Sequence, residues 1–275
     1  MKRVTKMFAL VGLVGIVLGS VTVTNAKTTK ANKEINLTVD VGENLQIKNI
    51  KKAPKIKGIK VVNCKNNTLT VKGLKEGVQS FTYNKTRYNI VTLNKVPGLK
   101  IDNAKAYKTK GVYYVVRDFE KDSIITVFNT NKAAKDVTVY RKEYRSKNDL
   151  FETRQQRVNA LGQNESYSFF TFSSMPIHKD SIEVADSTKK SLTNDDVTIS
   201  SGTIEGKNGK YTLTNKSKED VIYVDALVLK FDKDGNMVAN DYMISQRVEK
   251  KADWYTQNNM DGITDMKIVS YHVYY

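Results

Sequence analysis

One cysteine, one tryptophan, two histidines and three prolines stand in a chain of 275 residues. Each scarcity excludes something. Cys64 has no second cysteine to pair with, so no intramolecular disulfide can form and every domain must be held by its own core. As a nucleophile Cys64 would need a nearby base, and only His178 and His272 exist, both far along the chain. A buried, inert thiol on a strand is expected instead. Two isolated histidines and one cysteine make no metal set, so no metal and no other cofactor is expected. No Ser-centred elbow and no phosphate loop occurs, so no catalytic residue is assigned and the chain reads as a non-enzyme. Helical periodicity is nearly absent. Short alternating runs between Gly, Asn, Asp and Lys turns predict an all-β chain.

Positive charge is abundant and unevenly placed. The formal net charge is +16. Residues 27–97 hold fifteen Lys and Arg against Glu34, Asp40, Glu43 and Glu76, a net of +11. Residues 98–275 hold 27 basic against 25 acidic residues, a net of +2. The densest run is Lys48, Lys51, Lys52, Lys55, Lys57 and Lys60. Such a run attracts polyanions through long-range, salt-sensitive forces. The plainer reading is that lysine keeps a solvated β-domain soluble and blunts its edges. The run lacks Arg, which argues against bidentate phosphate recognition. It also lacks stacking aromatics, since Phe81, Tyr83 and Tyr88 come later at strand spacing, so nucleic acid is not expected as a partner.

The first 26 residues read as a secretory signal peptide. Lys2, Arg3 and Lys6 precede an uncharged apolar stretch, Met7–Val23, and Thr24, Asn25 and Ala26 offer small residues for cleavage. An uncleaved anchor is the alternative, since 17 apolar residues sit at the short edge of a membrane span. No second long apolar segment follows, and neither a hydrophobic tail nor a sorting motif ends the chain. The expectation is a secreted protein with no transmembrane segment in its mature form, attached to a cell surface only non-covalently.

Two stretches repeat one another. Ile125–Asn129 leads to Asp136–Tyr144, and Tyr211–Asn215 leads to Asp220–Phe231. Each is a short strand ending in Asn, a Lys-containing turn, an Asp, and a long strand ending in an aromatic residue. The offset is 86 residues between the asparagines and 87 between Tyr144 and Phe231. Duplication at that period predicts tandem β-sandwich modules. Lys95-Val96-Pro97-Gly98 is the linker candidate. The expected layout is a signal peptide over 1–26, a basic Ig-like domain over 27–97, and sandwich repeats over 98–185 and 186–275. In the basic domain, strands are expected over 35–41, 45–47, 59–62, 68–71, 79–83 and 88–93.

The segment 35–95 resembles the bacterial Ig-like group 2 family. Val41-Gly42-Glu43, Asn67–Val71 and Lys72-Gly73-Leu74-Lys75-Glu76-Gly77 carry the resemblance, which implies a compact sandwich. The family's usual Trp-Ser stretch is missing. The second repeat resembles the FxLYD-type family through Gly202-Thr203-Ile204, Leu213-Thr214-Asn215 and Val224–Asn236. It departs where a Pro-Gly turn would stand, having Val248-Glu249-Lys250-Lys251-Ala252. The first repeat departs further, with Tyr144-Arg145 where aromatic-Asp would stand. This resemblance implies an envelope-associated, non-enzymatic module.

Other candidates reduce to plainer readings. Asp232–Asn236 has its Gly at position four and Met243 at position twelve, so it reads as a hairpin turn and not a calcium loop. Glu183, Asp186, Asp195 and Asp196 read as a solvated connector. His272 reads as a strand-surface residue, and His178 as part of a connector. Trp254 is a possible ligand aromatic for sugar stacking, or else a core residue.

The expectation is a string of three small β-sandwiches, secreted and non-catalytic. Its basic domain would contact an anionic cell-wall polymer or lipid headgroups. Its repeats would bind an unknown protein partner or act as spacers. The alternatives are an accessory carbohydrate-binding module or secreted glycan-acting enzyme with Trp254 at the sugar, and a subunit of an extracellular assembly joined through an edge strand such as Ser270–Tyr274.

Overall fold

A computed structural model describes residues 33–96, 104–119, 122–189, 197–200, 203–205, 208–216, 221–248, 251–256 and 262–274. The expected signal segment, Pro97, Gly98, Asp195 and Asp196 lie outside the described residues. The protein is all-β, built from tandem small sandwiches. No helix among the described residues is long and apolar enough to cross a membrane.

The first sandwich has six strands: β1 (Lys33–Asp40), β2 (Asn44–Lys48), β3 (Ile59–Lys65), β4 (Thr68–Gly73), β5 (Gly77–Tyr83) and β6 (Thr86–Leu93). All six expected strands are present. They form two three-stranded sheets, β1-β6-β5 and β2-β4-β3, with β1 parallel to β6. Val39, Ile47, Ile59, Leu69, Val71, Phe81 and Ile90 fill the space between the sheets. Hairpins are closed by residues that tolerate positive φ. Asn66 and Asn67 turn β3 into β4 at φ 50 and 58, and Asn84 and Lys85 turn β5 into β6 at 46 and 59. Two central residues of positive φ match the twist of the flanking strands. Cys64 lies on β3, half-buried, and its thiol donates to Ile50 O at 3.3 Å.

The middle sandwich holds β7 (Lys105–Thr109), β8 (Val112–Phe119), β9 (Asp122–Asn129), β10 (Lys135–Ser146), β11 (Asp149–Leu161), β12 (Ser166–Thr171) and β13 (Ile177–Asp186). The third holds β14 (Val197–Ile199), β15 (Thr203–Glu205), β16 (Asn208–Asn215), β17 (Val221–Phe231), β18 (Met237–Val248), β19 (Lys251–Thr256) and β20 (Asp265–Tyr274). Their topologies correspond, apart from β7, which has no counterpart among the described strands of the third sandwich. β9 lies between β12 and β8, and β16 lies between β19 and the pair β14 and β15. β10 lies between β11 and β13, and β17 lies between β18 and β20. Strands β10 and β17 carry the duplicated long segments.

The repeated asparagine has a structural reason. Asn129 is fully buried at the end of β9. Its Nδ2 donates to Ala133 O (2.9 Å) and Leu161 O (2.8 Å), and its Oδ1 accepts from Asn131 N–H (2.9 Å). One side chain therefore closes the β9–β10 connection and ties it to β11. Asn215 holds the same place at the end of β16, buried likewise. Asn129→Ala should cost about 2–3 kcal/mol, because it removes the donor to the buried Leu161 carbonyl and two further bonds of the connection. Urea unfolding of the two chains measures it.

The sandwiches are not beads on a string but share cores. The sheet β12-β9-β8-β7 is covered on both faces. One face meets β10, β11 and β13 through Val127, Val137, Val158 and Phe169. Its other face meets the first sandwich through Tyr113, Val115 and Phe128 against Val91 and Leu93. It also meets the third, where Ile124 and Phe170 pack on Leu227, Leu229, Phe231 and Val269. Val96 of the expected linker joins that core at 1% exposure. Hence β9 is buried from Ser123 through Asn129, as strands with two covered faces are.

The third sandwich also seals the edge of β12. Ser168 N–H donates to Ser270 Oγ (2.7 Å), and Phe170 N–H donates to Tyr242 OH (2.8 Å). Side chains thereby occupy an edge that would otherwise invite a foreign strand. Ser270–Tyr274 is itself buried apart from half-exposed Tyr271, so this stretch is not the open edge that assembly through strand pairing requires.

His272, expected at a strand surface, is 1% exposed within this junction. The correction has a plain cause: the face of β20 that carries it packs on the middle sandwich. Its Nε2 donates to Asn159 O at 2.6 Å, and Nδ1 stands 3.9 Å from Glu165. Burial pulls its pKa down to about 4 from 6.5, against the opposing hydrogen bond to Asn159. The neutral ring therefore stabilises the fold fully above pH 6.5. That contribution is lost as pH falls from 6.5 toward 4, because the unfolded chain takes up the proton first. The loss should reach on the order of 3 kcal/mol. Urea titrations at pH 7.5 and 4.5 should show a smaller acid loss in His272→Gln than in the natural chain.

Candidate anion-binding surface

The candidate lysines stand on the outer face of β2-β4-β3 and on the loop that joins β2 to β3. Strand pleating turns Ile47, Leu69 and Val71 inward and leaves alternate residues outside. Register then aligns three outer rows: Lys48–Thr68–Lys65, Gln46–Thr70–Asn63, and Asn44–Lys72–Lys60. The face thus carries two lysines at each end and neutral polar groups between.

The loop is held, not merely exposed. Ile50 is fully buried, and Ile56 packs on the core. Ile50 N–H donates to Asn67 O (3.0 Å), and Lys51 N–H donates to Tyr83 OH (3.0 Å). Two apolar anchors and two backbone bonds therefore fix the segment. Lys51, Lys52, Lys55 and Lys57 are left outside, and all six predicted lysines are exposed.

The acidic residues of the first sandwich are elsewhere. No acidic residue occurs between Asn44 and Lys75. Glu34 accepts from Lys108 Nζ (2.7 Å) and Asn89 Nδ2 (2.6 Å), and Lys108 holds its pKa below the ordinary value. Glu43 pairs with Lys95 at 3.0 Å. Glu76 accepts from Asn94 Nδ2 and Ser166 Oγ, both at 3.0 Å, and burial pushes its pKa up. Asp40 is 6% exposed. Lys108 and Ser166 belong to the middle sandwich, so two of these contacts cross the junction. No described carboxylate lies within 4.0 Å of Lys48, Lys51, Lys52, Lys55, Lys57 or Lys60. Charge is partly sorted: Glu34, Asp40 and Glu76 lie toward the junction and β6, Glu43 borders the face near Lys72 but is paired with Lys95, and the six lysines face solvent without a described carboxylate partner.

Lys65 and Lys72 complete the rows, although neither belongs to the densest run. Their place beside Lys48 and Lys60 depends on strand register, which spacing along the chain does not reveal.

The other candidates fall apart. Glu183 and Asp186 sit on β13 and not on a connector, the first accepting from Tyr140 OH and the second paired with Lys135. His178 is on β13 too, near Asp118 and Asp180. Their strand continues past Ile177 because β10 is long enough to pair with all of it. Asp232 spends its carboxylate on the β17–β18 turn, accepting from Asp234 N–H (2.9 Å) and Asn236 N–H (2.8 Å). The backbone of Trp254 pairs with Tyr211 on β16, and its side chain lies outside the described residues. Among the described residues, no group of three or more His, Cys, Asp or Glu is placed to hold a metal ion.

No protein-family model matches the chain, and no curated protein matches it. Among solved structures, the FN1-FN3 domains of chicken CNTN1 are similar at 13% identity, over 76% of this chain and 81% of that one, with a TM-score of 0.17. Trypsin-activated alpha-2-macroglobulin from Escherichia coli is similar at 10% identity, over 86% of this chain and 23% of that one, with a TM-score of 0.17. Similarities of that size carry no argument, and the all-β fold of small sandwiches rests on the strand pairings and shared cores described above.

Proposed function

We propose that the chain is a secreted, non-catalytic envelope protein that holds to an anionic wall polymer through the lysine face of its first sandwich. The sorting of charge supports this reading most. A sandwich that used lysine only for solubility would have no need to keep the whole stretch from Asn44 to Lys75 free of carboxylates and to pair Glu34 and Glu43 with lysines outside the run. An acid-free face raises the local potential, and a fixed loop orders its lysines before binding, which lowers the entropic cost of contact. The sequence resemblances to bacterial Ig-like group 2 and FxLYD-type modules fit an envelope setting. Because the sandwiches share cores, the chain presents this face from a stiff body and is poorly suited to be a flexible spacer.

Sedimentation of residues 27–275 with purified bacterial walls tests the reading. Retention should require teichoic acid and fade as salt rises from about 0.05 to about 0.5 M, as the screening length shortens. Retention by anionic vesicles but not by walls would transfer the face to lipid headgroups. Salt-independent retention would sink the electrostatic account.

A further inference from the structure

The outer face of β11-β10-β13 in the middle sandwich points to a second binding site. Its counterpart in the third sandwich, the outer face of β18-β17-β20, is covered, with Leu227, Leu229 and Phe231 packed against the middle sandwich. In the middle sandwich the same sheet faces water and carries hydrogen-bonding side chains. Register places Tyr140 beside Gln155 and Ser181, and Thr138 beside Arg157 and Glu183. Asp136, Thr138, Tyr140, Gln155, Arg157 and Glu183 line a hollow of about 380 Å³, within the size range of small-ligand sites.

We propose that this hollow binds a neutral oligosaccharide. Its lining is held in place by its own contacts. Tyr140 OH donates to Glu183 (2.9 Å), which fixes the half-buried ring. Arg157 donates to Asp136 (2.7 Å), and Ala160 N–H donates to the other Asp136 oxygen (2.9 Å). One guanidinium against two carboxylates leaves no positive excess, so the hollow does not attract anions and is unlike the lysine face. A fixed aromatic ring beside Gln155, Thr138 and an Arg–Asp pair offers one apolar surface and alternating donors and acceptors. That pattern suits a pyranose, which has apolar C–H faces and a rim of hydroxyls.

The hollow binds and does not hydrolyse. Glycoside hydrolysis needs a carboxyl desolvated enough to stay protonated. Burial would raise the Asp136 pKa, but hydrogen bonds from Ala160 N–H, Ser187 and Arg157 outweigh it and hold the group below its ordinary value. Glu183 is exposed to water.

The test is titration calorimetry of residues 27–275 with tetramers of β-1,4-linked N-acetylglucosamine, glucose and mannose. At least one should bind saturably. Gln155→Ala and Tyr140→Ala should each weaken that binding tenfold or more, with unchanged thermal unfolding. Replacing Lys51 and Lys52 by Gln should leave it within twofold. Should Tyr140→Ala unfold the chain, Gln155→Ala alone decides, since Gln155 is exposed. No saturable binding of any tetramer at millimolar concentration, or binding that Gln155→Ala leaves intact, overturns the proposal.

Discussion

Replacing Lys51, Lys52, Lys55, Lys57 and Lys60 by Gln is expected to lower affinity for teichoic-acid-bearing walls more than a thousandfold at low salt. A lysine near a polyanionic surface contributes about 1 kcal/mol, so five contribute about 5 kcal/mol, and each 1.4 kcal/mol is tenfold. The individual changes should be nearly equal and nearly additive, because all five side chains are exposed and no described carboxylate pairs with any of them. Stability should hardly move, since surface substitutions away from structural contacts cost little. The anchors Ile50 and Ile56 stay in place, so the loop keeps its path. Binding isotherms on walls at about 0.05 M salt, with urea unfolding as control, check both halves. A loss below tenfold would mean that the lysines serve solubility and that another surface makes the contact.

The second large effect concerns the shared core between the middle and third sandwiches. Phe170→Ala is expected to cost about 3–5 kcal/mol, the usual range for removing a buried phenyl ring. Phe170 is 2% exposed, packs on Leu227 and Leu229, and meets Phe172 edge-on at 4.9 Å. Its loss should also slacken the bonds that seal β12, because Tyr242 reaches the backbone of this same residue. One cooperative unfolding transition, shifted as a whole, is the expected outcome of urea titration. Two transitions in the natural chain would show the sandwiches unfolding separately, contrary to the shared-core reading.

Much of the first sandwich was legible from alternation. Ile47, Leu69, Val71 and Ile90 face inward where the spacing places them, and the Asn66-Asn67 pair marks a turn. The duplication was legible too, since Asn129 and Asn215 end matching strands in matching sheets. The joining of the sandwiches was harder to see. Ile124, Phe128 and Phe170 occupy positions that alternation assigns to the outer side of a sheet, yet they are apolar. Such unbroken apolar runs signal a strand covered on both faces, but they do not name the covering partner. His272 was misread for the same reason: alternation sets its face, and only the neighbouring sandwich decides that this face is buried. The lysine run was visible as charge. Its meaning depended on where Glu34, Asp40, Glu43 and Glu76 go, and all four make contacts or lie in positions that strand spacing cannot report.

The most direct test of charge placement compares two variants of equal net charge. One replaces Lys48, Lys51, Lys52, Lys55 and Lys57 by Gln. The other replaces Lys132, Lys147, Lys179, Lys189 and Lys233, five exposed lysines of the middle and third sandwiches. Both lose five positive charges. The charge-sorting account predicts that the first loses nearly all retention on teichoic-acid-bearing walls, while the second stays within a few-fold of the natural chain. Equal losses in the two would contradict it, because retention would then follow total charge and not the acid-free face.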